Sequence, residues 1–151
     1  MPTIRTSTFS LEFTRFQELE LAAPEMVQYI DLAQNFEEFP KGLLAFKNVK
    51  RLDLTGHSDQ NKDVRMKMAT LPDEFYQFKK LEYLHVANVR LTHLSEKIIQ
   101  LQRLEHLTIT NTDIATTPKG LWQIRALKSL KLSKNKIQKL PNYIDLPNLL
   151  L

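Results

Sequence analysis

An α/β solenoid is the fold class the sequence predicts, with a parallel β-sheet along one side and short helical or 3-10 segments returning along the other. Three observations predict it. The pattern LxxLxL occurs at "VQYIDL", "VKRLDL", "LEYLHV", "LEHLTI" and "LKSLKL", starting at residues 27, 49, 81, 104 and 127. A second half-unit follows each start, at "FPKGLLAF", "LPDEFYQF", "LSEKIIQL", "TPKGLWQI" and "LPNYI". Pro40, Pro72, Pro118 and Pro141 share one column, in which Ser95 replaces proline in the third unit. Self-similarity at such a period is the signature of a repeat architecture.

Each half of the unit has its own physical logic. The last two apolar residues of LxxLxL alternate along a strand, so both face one side and the residue between them faces the other. After a turn, the second half brings apolar residues back at intervals of three, with proline at its start, where a missing N–H costs nothing. One unit cannot bury its leucines alone, but units stacked about 4.8 Å apart form a parallel sheet and a continuous core. Phe39, Phe46, Phe75 and Phe78 fall in core columns. Trp122 and Tyr143 fall between them, either covering neighbouring return segments or marking a second contact surface.

The spacing Leu127, Leu130, Leu132, Asn135, Ile137, Leu140, Pro141 closely resembles the 23-residue class of the leucine-rich repeat family. Leptospiral-type and plant intracellular Ras-group proteins carry similar repeats. The resemblance covers residues 27–151. It implies a right-handed solenoid of about five repeats with a curved parallel sheet on the concave face and short helices or 3-10 segments on the convex face. The family's turn asparagine is matched by Asn35 and Asn135 only. His57, Val89 and Thr112 stand in the same column, and Asn88 and Asn111 lie one position earlier, so irregular turns are expected in the third and fourth repeats.

Three regions depart from the period. The step from 49 to 81 contains about nine extra residues, placed at about 58–68, polar and charged with Val64, Met66 and Met68 as anchors. Long loops in compact domains are often functional, so this one is either a tolerated surface loop or a binding lip over the concave face. Residues 1–26 lack the full repeat and read as an N-terminal β cap, a hairpin on the first repeat, with a helix over Leu11–Leu21 as the competing reading. "YIDLPNLLL" ends on leucines without a polar cap, either as a partial sixth repeat at 149–151 or as the edge of a longer protein. Such an apolar end invites end-to-end self-association.

Composition narrows the function. The chain has 151 residues, the size of one ordinary domain, and its 42% hydrophobic residues suffice for a core. Without cysteine, disulfides, thiolate metal sites and cysteine nucleophiles are excluded. The start "MPTIRTSTFSLEFTRF" has no apolar h-region, so this chain shows no signal peptide, and its compartment stays open. No apolar run is long enough to span a membrane. A net charge of +4 is mild for a nucleic-acid binder. The five lysines of "LKSLKLSKNKIQKLP" wrap around one repeat, because stacking leucines set their spacing, and at most Lys128, Lys131 and Lys134 can serve one ligand. There is no Gly-rich phosphate loop, HExxH or GxSxG motif.

The resemblance implies that side chains from alternate strand positions project from the concave face. One row then reads Tyr29, Arg51, Tyr83, His106 and Ser129, and the next reads Asp31, Asp53, His85, Thr108 and Lys131. With Lys128, these give a face that grades from acidic and aromatic to basic. Exposed Tyr and Arg on a rigid sheet are residue types enriched at binding hot spots. The expected function is non-enzymatic recognition of a protein or peptide through Tyr29, Asp31, Arg51, Asp53, Tyr83, His85, His106, Thr108, Lys128 and Lys131, without cofactor, metal or nucleic acid. The alternative is a structural or targeting module of a longer bacterial secreted or effector protein whose catalytic part lies elsewhere. His85 and His106 on neighbouring strands raise a shared divalent metal as a further alternative, with surface histidines as the simpler reading.

Overall fold

A computed structural model describes residues 23–150, together with the backbone of strands β1 (Ile4–Arg5) and β2 (Ser10–Leu11). These two pair antiparallel as a separate two-stranded sheet. Residues 12–22 of the proposed N-terminal cap, which carry most of the competing helix over Leu11–Leu21, lie outside the described residues, as do 1–3 and 6–9.

The chain is a solenoid built on one five-stranded parallel sheet, ordered β3 (Tyr29–Leu32), β4 (Arg51–Thr55), β5 (Tyr83–Ala87), β6 (His106–Thr110) and β7 (Ser129–Lys131). Register is constant across the stack: Ile30, Leu52, Leu84, Leu107 and Leu130 are successive partners, as are Leu32, Leu54, Val86 and Ile109. A backbone chain precedes the strands and continues past them. Lys50 N donates to Gln28 O, Glu82 to Lys50, Glu105 to Glu82 and Lys128 to Glu105, at 2.7–2.9 Å, and Leu150 N donates to Lys128 O at 2.9 Å.

The return segments are 3-10 turns, η2 (Lys41–Ala45), η3 (Asp73–Gln77), η4 (Glu96–Gln100) and η5 (Lys119–Gln123), after the shorter η1 (Pro24–Met26). Pro40, Pro72 and Pro118 precede three of them. Where Ser95 replaces proline, an N–H appears that the other repeats lack. It donates to the phenol oxygen of Tyr76 at 3.1 Å, and the Ser95 hydroxyl accepts from Lys97 N at 3.2 Å. Burial pushes the Tyr76 phenol pKa up, so it stays protonated. One repeat later, the Glu96 carboxylate accepts from the free N–H groups of Lys119 and Gly120 at 3.0 and 2.8 Å. Gly120 lies against Glu96 O, where a Cβ would approach to 2.7 Å.

The core is continuous from Val27 to Leu146. Phe39, Phe46, Phe75 and Phe78 are all buried, and Phe75 meets Phe39, Tyr76 and Phe78 edge-to-face at 5.4–5.6 Å. Trp122 is buried with its indole N–H bonded to Thr117 Oγ1, so it covers the return face, whereas Tyr143 is exposed. The fifth return, at 140–144, forms no helix, and Leu140, Tyr143 and Ile144 are exposed with Leu150 beyond it.

The last three turns after the strands share one backbone conformation that the first two lack. Asn88, Asn111 and Lys134, one position before the asparagine column, share left-handed φ values of 56°, 54° and 55°. Asparagine tolerates that region better than most residues. The Asn88 amide donates to Gly56 O and the Asn111 amide to Asn88 Oδ1, so the early asparagines bond one another up the stack. Asn135 accepts from Thr112 N and Oγ1 and donates to Ile109 O.

The Tyr76–Ser95 bond predicts a coupled pair. Tyr76→Phe leaves the Ser95 N–H without its partner and lowers stability by about 1–2 kcal/mol. Ser95→Pro removes that donor and restores the proline of the neighbouring repeats, so its effect in the Tyr76→Phe background is smaller than in the wild type. Urea denaturation of the four proteins measures the coupling, and additive losses would refute it.

Candidate functional site

The solvent side of the sheet carries one row of planar groups, because constant register puts Tyr29, Arg51, Tyr83 and His106 beside one another. The Arg51 guanidinium carbon lies 5.1 Å from the Tyr29 ring centroid and 5.8 Å from that of Tyr83. Tyr83 stacks on His106 at 4.4 Å with ring planes 9° apart. A cation over a tyrosine face contributes about 0.5–1 kcal/mol at exposed sites. The row therefore orders itself before any ligand arrives, while Tyr83 remains 38% exposed and Arg51 is exposed too.

Beneath the row sits Asp53, read from the sequence as a surface carboxylate. It is 5% exposed. Arg51 Nε donates to its Oδ2 at 2.9 Å, and His85 Nδ1 lies 3.2 Å from its Oδ1. Asp53 thus orients Arg51 and His85 and offers little surface of its own. Burial, then the Asp53 charge, pushes the Tyr29 phenol pKa up, so Tyr29 keeps its proton at neutral pH. Asp31 and Thr108 are half-buried beside this group.

The basic end is arranged differently. Lys128 Nζ donates to Glu105 Oε2 at 2.7 Å, and that bond raises the lysine's pKa. Lys131 is exposed on β7. His85 turns to Asp53 and His106 to Tyr83, and among the described residues no three His, Asp or Glu side chains gather as a metal site.

The inserted loop forms a second group of charges. Met66 pairs with Val89 in a parallel bridge, and Met66 and Met68 are fully buried, so the chain rejoins the stack at Met66. A Cβ on Gly56 would lie 2.7 Å from Met66 N and 2.1 Å from Asn88 O. The loop 57–65 thus leaves and returns at one point, which only a residue without a side chain permits. Asn35 holds its base, accepting from His57 N at 3.0 Å and donating to Val64 O at 3.3 Å.

Arg65 fixes the loop over the fourth repeat. It bonds Asp63 through Nε at 2.8 Å and Nη2 at 2.9 Å, and reaches Asp113 Oδ1 at 3.3 Å. Lys136 Nζ meets Asp113 Oδ1 at 2.8 Å and Arg90 meets Asp63 at 3.2 Å. The Lys136 bond chiefly, then Arg65, holds the Asp113 carboxyl below the usual range against an opposing effect of burial. Arg65 does the same for Asp63. The sequence reading overlooked this cluster, yet it left a signal. Arg90, Asp113 and Lys136 occupy the tenth position of three successive repeats and alternate in sign.

The family model for leucine rich repeats matches residues 79–137 of this chain. No curated protein matches it. Among solved structures, 56 chains match. One is a leucine-rich repeat protein of Leptospira interrogans, 28% identical with a TM-score of 0.61 over 86% of this chain and 37% of its own. This chain thus spans well under half the length of that relative.

Because the folded Asp113 has a depressed pKa, its contribution is complete above the unfolded value of about 4 and disappears as pH falls through the folded value. Asp113→Asn should therefore cost about 1–2 kcal/mol at pH 7. Its melting temperature should converge on that of the wild type as pH falls through the lowered pKa of the folded carboxyl. A gap that persists unchanged at low pH would remove the ion-pair explanation.

Proposed function

We propose that this chain, a leucine-rich repeat protein resembling the leptospiral type, is a non-enzymatic module that binds a protein partner through its sheet face. The observation that carries this reading is the stacked row Tyr29–Arg51–Tyr83–His106. Arginine and tyrosine dominate binding hot spots because they bury large contact areas while offering hydrogen bonds. Here their rotamers are already restricted by one another and by Asp53, so docking orders little that was mobile. Asp31, His85 and Thr108 form the next row, and Lys128 and Lys131 the basic end.

A second reading, a repeat segment that positions other parts of a longer protein, is favoured by the greater length of the Leptospira relative. The backbone chain running on to Leu150 and the exposed Leu140, Tyr143 and Ile144 also support association of this end with further repeats or a second copy.

Arg51→Ala combined with Tyr83→Ala should abolish capture of specific partners in a pull-down while leaving the circular dichroism spectrum unchanged. Partners retained equally by both proteins would defeat the sheet-face reading. For the open end, wild type should grow in mass with concentration in light scattering, and Leu140→Glu with Tyr143→Glu should stay monomeric. A wild type that is monomeric throughout would rule out self-association.

A further inference from the structure

The loop 57–65 encloses a cleft against the C-terminal part of the sheet. Ser58, Asp59 and Gln60 form one wall, Thr110 and Ser133 part of the floor, and Lys131 and Lys134 the far side, around about 620 Å³. A neighbouring hollow of about 500 Å³ shares Lys134 and adds Lys62. The wall is pinned by the Asp63–Arg65–Asp113–Lys136 cluster, so the cleft exists before a ligand enters.

Its charges are unequally used. Arg65 and Lys136 are neutralised by Asp63 and Asp113. Lys62, Lys131 and Lys134 form no ion pair among the described residues. The acid facing them, Asp59, accepts from Asn61 N at 2.8 Å within its own turn. Lys134 adds an independent observation. Its φ is 55°, where the two preceding repeats place asparagine. A lysine in that region costs roughly 1 kcal/mol, and strain of this kind collects at functional positions.

We propose that this cleft holds an acidic, extended segment of the protein partner, whose carboxylates meet Lys131 and Lys134 with Lys62 at the rim. The inference rests on the protein-recognition reading above and names the chemistry of what is recognised. Lysine suits it: an ammonium accepts a carboxylate from many directions, so a flexible acidic stretch binds without fixed geometry. The small hydroxyl residues Thr110 and Ser133 leave room for a main chain. A nucleic acid fits less well, because no aromatic side chain lines the cleft to stack a base.

Fluorescein-labelled hexaglutamate at low salt is the probe, read by fluorescence anisotropy. It should bind the wild type, and Lys131→Glu with Lys134→Glu should weaken binding at least tenfold. Lys41→Glu with Lys47→Glu, the same charge change on the return side, should stay within about twofold. Deleting 57–65 joins Gly56 to Met66 and restores the length of the other repeats. That variant should fold by circular dichroism and also lose the peptide. Arg51→Ala with Tyr83→Ala should still bind hexaglutamate, so the row and the cleft fail separately. Equal losses from both lysine pairs, undiminished binding by the loop deletion, or stronger binding of a thymidine oligonucleotide than of hexaglutamate would overturn the assignment.

Discussion

Everything in this protein depends on the parallel backbone chain that passes from Gln28 through Lys50, Glu82, Glu105 and Lys128 to Leu150. These bonds recur from repeat to repeat with the strand pairing and set a common register, and a common register places every side chain beside its counterpart about 4.8 Å away. Inward columns therefore have to be apolar throughout, which is why Ile30, Leu52, Leu84 and Leu107 succeed one another. Outward columns face a different demand. Polar side chains held that close must satisfy one another or remain available to something else.

Departures from the consensus repeat follow from the same demand. Asn35 and Asn135 close their turns through the side chain, bonding backbone groups of the neighbouring unit. Asn88 and Asn111 take the left-handed backbone that Lys134 also takes, and pass a hydrogen bond up the stack. Ser95 brings an N–H that proline would not have, and Tyr76 of the preceding repeat receives it. Among the described residues no buried side-chain nitrogen or oxygen lacks a partner. Different side chains are thus equivalent whenever the group they leave open is closed by the adjoining unit.

Much of this was legible in the sequence, and the reason is periodicity. Aligned starts at 27, 49, 81, 104 and 127 place the core columns and the Tyr29–Arg51–Tyr83–His106 row without any structure. Depth and direction were not legible. Asp53 follows the outward rule, yet Arg51 and His85 close over it, and alternation alone cannot say that a short carboxylate sits below two longer neighbours. The turns at Val89 and Thr112 are re-formed by Asn88 and Asn111 one position earlier, and side chains in the asparagine column do not display the backbone φ that they share with Lys134. Nor could spacing show the loop crossing to the fourth repeat. The contact from Arg65 to Asp113 belongs to an insertion with no counterpart in the other units.

Stacking also separates the charges that hold the protein together from those left over. In the tenth-position column Arg90, Asp113 and Lys136 alternate in sign, and Asp113 is shared among the basic groups around it. In the third-position row a cation lies between two aromatic rings. At the C-terminal end the alternation stops. Lys128 finds Glu105 on the adjoining strand, but Lys131 stands beside Thr108 and Lys134 follows Asn111, neither of which carries a charge. A lattice of neighbours this close would neutralise those lysines if stability alone governed them, since an acidic residue at position 108 would meet Lys131 and one at position 111 would meet Lys134. Their surplus charge, beside a wall that the other ion pairs hold in place, is the part of the surface that folding leaves unused.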